Sequence, residues 1–277
     1  VNLQSTSILA AMLGIISVQT GAAVGKSIFT LVGPEGVAAL RLGISALVML
    51  VLLRPWRIWQ PANLPGLIGY GVMMGAMNLL IYRAMLYIPV GVAVSIEVVG
   101  PLAVALLASR RRIDLLWIGL SLLGLVLLPW GSGQQGLDPR GVAYALGAAA
   151  AWGLYVKFGT RVAIHGKQAV ASGMLVAALF GAPLGVVQAG EQLLQPWVLA
   201  IGLSVALLSS MVPYLLDMYA MRHLPAQVFG ILLSASPAMA ALAGWLVLGE
   251  ALSLLQCAGV AAIAAACAGA ALVGRRQ

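Results

Sequence analysis

PVGVAVSIEVVGP, residues 89–101, is an apolar run with a carboxylate, Glu97, inside it and a proline at each end. The same frame returns at residues 225–237 as PAQVFGILLSASP. Pro89 and Pro101 are 12 residues apart, as are Pro225 and Pro237, and the two copies are offset by 136 residues, about half of the 277-residue chain. This predicts a duplicated bundle. Glu97 aligns with Leu233, so the carboxylate belongs to the first copy alone.

Composition makes the bundle a membrane one. The chain is 62% hydrophobic with a mean hydropathy of +1.05, and 8% of its residues are charged, against roughly 25% in soluble domains. The net charge of +8 does not point to nucleic acid, because the basic residues lie in short links between apolar runs, where they set topology rather than track phosphates. Cys257 and Cys267 are ten residues apart in one apolar run, about 15 Å along a helix, too far for a disulfide. The first apolar run has no basic stretch before it and leads into further spans, so no cleavable signal peptide is expected.

With about 20 apolar residues needed per span, ten spans are expected, at 7–32, 36–53, 64–86, 90–109, 114–131, 140–163, 169–189, 196–220, 226–247 and 252–273. The fold class is an all-α polytopic membrane protein, with two inverted five-helix repeats at 1–131 and 140–277 joined by a polar linker at 132–139. Arg54, Arg57, Arg110, Arg111, Arg112, Arg161, Lys167, Arg222, Arg275 and Arg276 fall on one side, Arg83 and Arg140 on the other. The bias places both termini in the cytoplasm. Five spans per half invert the second half, and link charges invert with it. Arg110–Arg112 precede Asp114, whereas Val247-Leu248-Gly249, 136 residues on, precede Glu250 without a base. Inverted repeats are a common plan of secondary transporters, with the site near the midplane.

Polar residues inside spans are costly and mark candidate sites. Glu97 lies about 10 Å into its span. Pro101 has no N–H, so the Glu97 carbonyl also loses its helical partner. Carboxylate and carbonyl together suit a proton, a cation or an ammonium, while a neutral or paired packing role is the alternative. Arg41 could pair with Glu97, receive a substrate carboxylate or snorkel to the surface. Asn78 and Tyr82, four apart, share a helix face. In SSMVPYLLDM (209–218), Pro213 frees the Ser209 carbonyl, and Tyr214 and Asp217 follow within about one turn. Gln19 and Lys26 face the same way in the first span, and Trp152 and Tyr155 are amphipathic aromatics that could line a path. Lys26 and Lys157 are both near enough to span ends to snorkel. Gly147–Gly153 and the small residues of the last span suit close helix packing, within the bundle or between copies in a homo-oligomer. Without a Cys–His cluster or a glycine-rich phosphate loop, neither a metal site, a cofactor nor enzyme activity is expected.

The proline frame, Arg41, Gly249-Glu250 and the strings VGPEGVAALRLG (32–43), EVVGPLAVAL (97–106), SRRRID (109–114) and LSSMVPYLLDM (208–218) resemble the drug/metabolite transporter superfamily, in its ten-span EamA-type branch. The resemblance covers essentially the whole chain. It implies a multi-pass protein of the bacterial inner membrane that exports small neutral amino acids such as threonine and homoserine, using the proton gradient and no cofactor. Aromatic amino acids, other metabolites or drugs are the near alternatives; an uncoupled channel is the distant one.

Overall fold

The structure, a computed structural model, describes residues 3–108, 113–130, 136–224 and 232–273. Pro225 lies outside them, as do the side chains of Tyr214 and Asp217. Twelve helices build ten rods among the described residues: α1 (Leu3–Lys26), α2 (Phe29–Leu53), α3 (Leu64–Tyr87), α4 (Val90–Glu97), α5 (Val99–Ala108), α6 (Asp114–Trp130), α7 (Pro139–Val162), α8 (Lys167–Ala189), α9 (Pro196–Ala206), α10 (Val212–His223), α11 (Ser236–Leu248) and α12 (Leu254–Val273). α4 and α5 are two pieces of one rod, and a π turn at Leu207–Met211 joins α9 to α10. Four helical stretches, beginning at Ser5, Phe29, Leu64 and Lys167, are each long and apolar enough to cross a membrane, and shorter apolar helices accompany them.

The first boundary differs from expectation. Gly33-Pro34 suggests a break between 32 and 36, but the chain turns earlier, at Ser27-Ile28, and α2 starts at Phe29. Gly33 is instead a kink inside α2, at φ 66° and ψ 172°, where only glycine is unstrained. Pro34 then opens the straight part, where its missing N–H costs nothing. The next free donors, the N–H groups of Glu35 and Gly36, are taken by the side-chain oxygen of Gln188 (3.0 and 3.4 Å). A helix start in the first half is thus capped by a helix of the second.

The main helix pairings join the halves. α2 packs along α8, α3 along α7, α1 against α9 and α10, α4 against α11, and α6 against α12. Counted as spans these are 2–7, 3–6, 1–8, 4–9 and 5–10. Exchanging each span with the one five places on turns 3–6 into 8–1 and leaves the other three unchanged. The pairing is therefore two-fold symmetric. The second proline of each frame obeys the same exchange: Pro101 sits in the first turn of α5 and Pro237 in the first turn of α11.

Glycines let the rods close up. A Cβ on Gly124 would lie 2.8 Å from the Gly259 carbonyl oxygen, and one on Gly259 2.9 Å from that of Gly124, a reciprocal backbone contact between α6 and α12 of the small-residue kind. Gly100 of α5 faces the Ala149 carbonyl of α7 still more closely. Gly100→Val is therefore expected to push α5 off α7, at the overpacking cost of about 1–3 kcal/mol. Thermal unfolding in detergent should show a lower midpoint than wild type; an unchanged midpoint would refute the contact.

Candidate functional site

A cavity of about 140 Å³ lies where α1, α2, α3, α4 and α7 meet. Gln19, Arg41, Asn78, Tyr82, Glu97 and Trp152 line it, with apolar side chains between them. Six sequence-derived candidates thus converge on one place, from both halves of the chain. α4 ends at Glu97, where Pro101 removes the donor that would continue the helix, so the carboxylate stands at a helix break. The side chain is buried, at 8% exposure.

Arg41 does not pair with Glu97 and does not snorkel. Its Nη2 donates to the Ser209 carbonyl (3.0 Å), its Nε to the Ser210 hydroxyl (3.4 Å) and its Nη1 to the Tyr82 hydroxyl (3.4 Å). Its guanidinium carbon is also 5.9 Å from the centre of the Tyr82 ring, a cation–π distance. Pro213 has no N–H to give to Ser209, so the freed carbonyl is the one that Arg41 takes. Beside it, the Leu208 carbonyl accepts from the Ser17 hydroxyl (2.7 Å). The π turn between α9 and α10 thus spends two carbonyls on holding neighbouring helices, and one of them fixes a cation at the cavity wall. Among the described residues no hydrogen bond or ion pair reaches the Glu97 carboxylate. A carboxyl group and a guanidinium therefore face one cavity without a direct bond between them.

Asn78 gives one amide proton to the Met74 carbonyl (2.8 Å) and still lines the cavity. Tyr82 is fully buried and meets Phe29 edge to face. Two candidates go elsewhere. Tyr155 stacks on Tyr70 with the hydroxyls 2.7 Å apart, in the core between α3 and α7. Lys26 leaves the face of Gln19, because α1 ends there and its ammonium pairs with Glu250 (2.6 Å) and the Ile88 carbonyl (3.1 Å). Among the described residues no group of three or more His, Cys, Asp or Glu could hold a metal ion.

The sequence profile of the EamA-like transporter family matches residues 139–272. The threonine/homoserine exporter RhtA of Salmonella typhimurium LT2 is 44% identical over 274 residues, 98% of this chain and 92% of that protein. RhtA of Escherichia coli K12 is 44% identical over 270 residues, 96% and 91% of the two chains. The chain belongs to the EamA-like transporter family. A crystal structure of a protein 21% identical superposes with a TM-score of 0.62 over 97% of each chain, which speaks for the fold alone. An EamA-like chain is a multi-pass membrane transporter and not an enzyme.

Two further clusters of this EamA-like bundle join residues that the sequence did not pair, Glu35 with Arg83 and Lys26 with Glu250, and both lie at the end where α1 stops and α4 starts. Glu35, buried in α2, pairs with Arg83 of α3, whose guanidinium also lies over the Tyr144 ring. Glu250 accepts from Lys26 and from the Val90 N–H (2.8 Å), the first donor of α4. Gly249, at φ 70°, ends α11 and turns Glu250 inward. Gly244 leaves room for its carboxylate, since a Cβ there would lie 2.7 Å from Oε2. The available signal was the scarcity of acids, seven in 277 residues, which makes each one beside a span informative. Nearby, Asp138 caps α7 by accepting from the Arg140 N–H (2.8 Å). The Arg140 side chain beside it holds its carboxyl below the usual range.

The Lys26–Glu250 pair is about 18% exposed on each side, between the surface and buried regimes. A double-mutant cycle with Lys26→Met and Glu250→Gln is expected to give a coupling of about 1–3 kcal/mol in unfolding. A coupling of zero would mean that the contact holds nothing.

Proposed function

We propose that this chain exports small neutral amino acids of the threonine and homoserine class across a bacterial inner membrane in exchange for protons, with both termini in the cytoplasm. One observation carries the reading: a cavity of zwitterion scale is lined by a carboxylate without a partner and by a guanidinium held away from it. An amino acid brings an ammonium for Glu97 and a carboxylate for Arg41. The Ser209 carbonyl, Ser210 and Tyr82 keep Arg41 on its own wall, so the empty site does not collapse into an internal ion pair. The names of the relatives, exporters of threonine and homoserine, support the same substrate class.

Exchange follows from one carboxylate serving two cations. Glu97 holds either a proton or the substrate ammonium; a proton arriving from the periplasm displaces the ammonium, and release of that proton to the cytoplasm restores the site. The two-fold pairing of the halves supports alternation between two faces. Under the proposed orientation, Lys26–Glu250 and Glu35–Arg83 are ties on the periplasmic side. Asp217 remains a proposed second coupling carboxylate, Tyr214 a proposed neighbour of the path, and a homo-oligomer a proposed assembly.

The test is flux into proteoliposomes with an imposed pH gradient, comparing threonine, homoserine and aromatic amino acids. Saturable, gradient-driven exchange of threonine and homoserine is expected. Preference for aromatic substrates or drugs would reject the substrate class, which the small cavity already opposes. Ion current without saturable exchange would establish a channel instead.

A further inference from the structure

A second cavity, of about 330 Å³, runs along the α5–α7 contact. Its floor is small and apolar, with Gly100, Ala103, Ala149 and Gly153, and its charged lining residue is Lys157. α5 and α7 run side by side in the same direction. A Cβ on Gly100 would meet the Ala149 backbone, and one on Gly153 would lie 3.1 Å from Val104 and 3.3 Å from the Gly100 carbonyl oxygen. The groove's described lining runs from Ala149 to Lys157 along α7 and from Val99 to Val104 along α5, with Lys157 five residues before the end of α7 at Val162.

This groove is separate from the transport cavity. Five residues at about 100° each put Lys157 roughly 140° around α7 from Trp152, which lines the first cavity. Leu146 and Leu154, on the Lys157 side, are 47% and 44% exposed. That is the face a spanning helix presents to lipid. Lys157 is near enough to the end of α7 for its stem to snorkel along that face toward the headgroups, and among the described residues its ammonium has neither a hydrogen bond nor an ion pair. Arg161, one turn on, is exposed too and stacks on Phe158. Like charges four residues apart on a helix repel, so an anion shared by the two would relieve both.

We infer that the groove binds an anionic phospholipid, with an acyl chain along the glycine and alanine floor and its phosphate between Lys157 and Arg161. The inference rests on the proposed orientation only in placing that phosphate in the cytoplasmic leaflet, where basic pockets between spanning helices bind acidic headgroups. The lipid's charge supplies what the protein face lacks, and its chain fills the slot.

The test is retention of lipid by the detergent-solubilised full chain, offered equal palmitoyl-oleoyl phosphatidylglycerol and phosphatidylcholine and read by native mass spectrometry. Wild type is expected to keep phosphatidylglycerol in preference. Lys157→Leu, a change suited to a lipid-facing position, is expected to lower that retention about fivefold while leaving phosphatidylcholine as it was. Arg161→Gln should act in the same direction, and Ala150→Phe, which fills the slot, should lower both lipids. Equal retention of the two lipids by wild type, or undiminished phosphatidylglycerol on Lys157→Leu, overturns the inference. Transport is not measured, so a failed flux experiment and a failed lipid experiment remain distinguishable.

Discussion

Glu97→Gln is expected to abolish proton-driven accumulation of threonine in proteoliposomes, with initial uptake down by about 10- to 100-fold. The magnitude is that of a hydrogen bond to a charged group, about 1.5–3 kcal/mol, converted at about 1.4 kcal/mol per tenfold. Glutamine keeps the shape and can still line the cavity, but it carries neither a proton nor a charge for an ammonium. The fold should survive, because among the described residues no ion pair loses a partner. Residual downhill flux should lose its dependence on the pH gradient, and Glu97→Asp should recover part of the coupling. If the glutamine protein still exchanges labelled threonine against a gradient at the normal rate, the role assigned to Glu97 is wrong.

Arg41→Lys is expected to be nearly as damaging as Arg41→Gln, with KM for threonine raised about 10- to 100-fold in both. A charge-only view predicts that lysine rescues. The geometry predicts otherwise, because three N–H donors reach three partners in different directions. A guanidinium can hold such a fork, while an ammonium is a point charge on a flexible stem. Freed from the Ser209 carbonyl, the lysine can swing to Glu97 and neutralise the site from within. Threonine amide, which lacks the carboxylate, separates recognition from general damage: wild type should discriminate strongly against it, and the glutamine variant should discriminate much less. A lysine variant with wild-type KM would remove the tether from the mechanism.

The repeat was legible because it is written in prolines, whose missing N–H acts the same way in any surroundings. Pro101 announced the end of α4 at Glu97, and Pro213 announced that the Ser209 carbonyl would be free. What took that carbonyl was not legible: Arg41 is 168 residues away. The same limit hid the partner of Lys26, 224 residues distant. Arg83 was counted only for its side of the membrane, yet it neutralises the buried Glu35. The early boundary misled for a local reason, since Gly-Pro marks either a turn or a kink. Gln188, supplied by the other half, decides between them by capping the restarted helix.

The short helix α4 is gripped at its first N–H by Glu250 and released after its last residue, Glu97, by the break at Val98. Under the proposed exchange it would serve as a rocker arm of eight residues, with Glu250 at one end and the Glu97 carboxylate about 10 Å away along the helix axis at the other. Breaking the Lys26–Glu250 tie and presenting Glu97 to a new side of the membrane would then be one movement. Leakage through an open passage with an idle carboxylate would be disfavoured by linkage, without any separate safeguard.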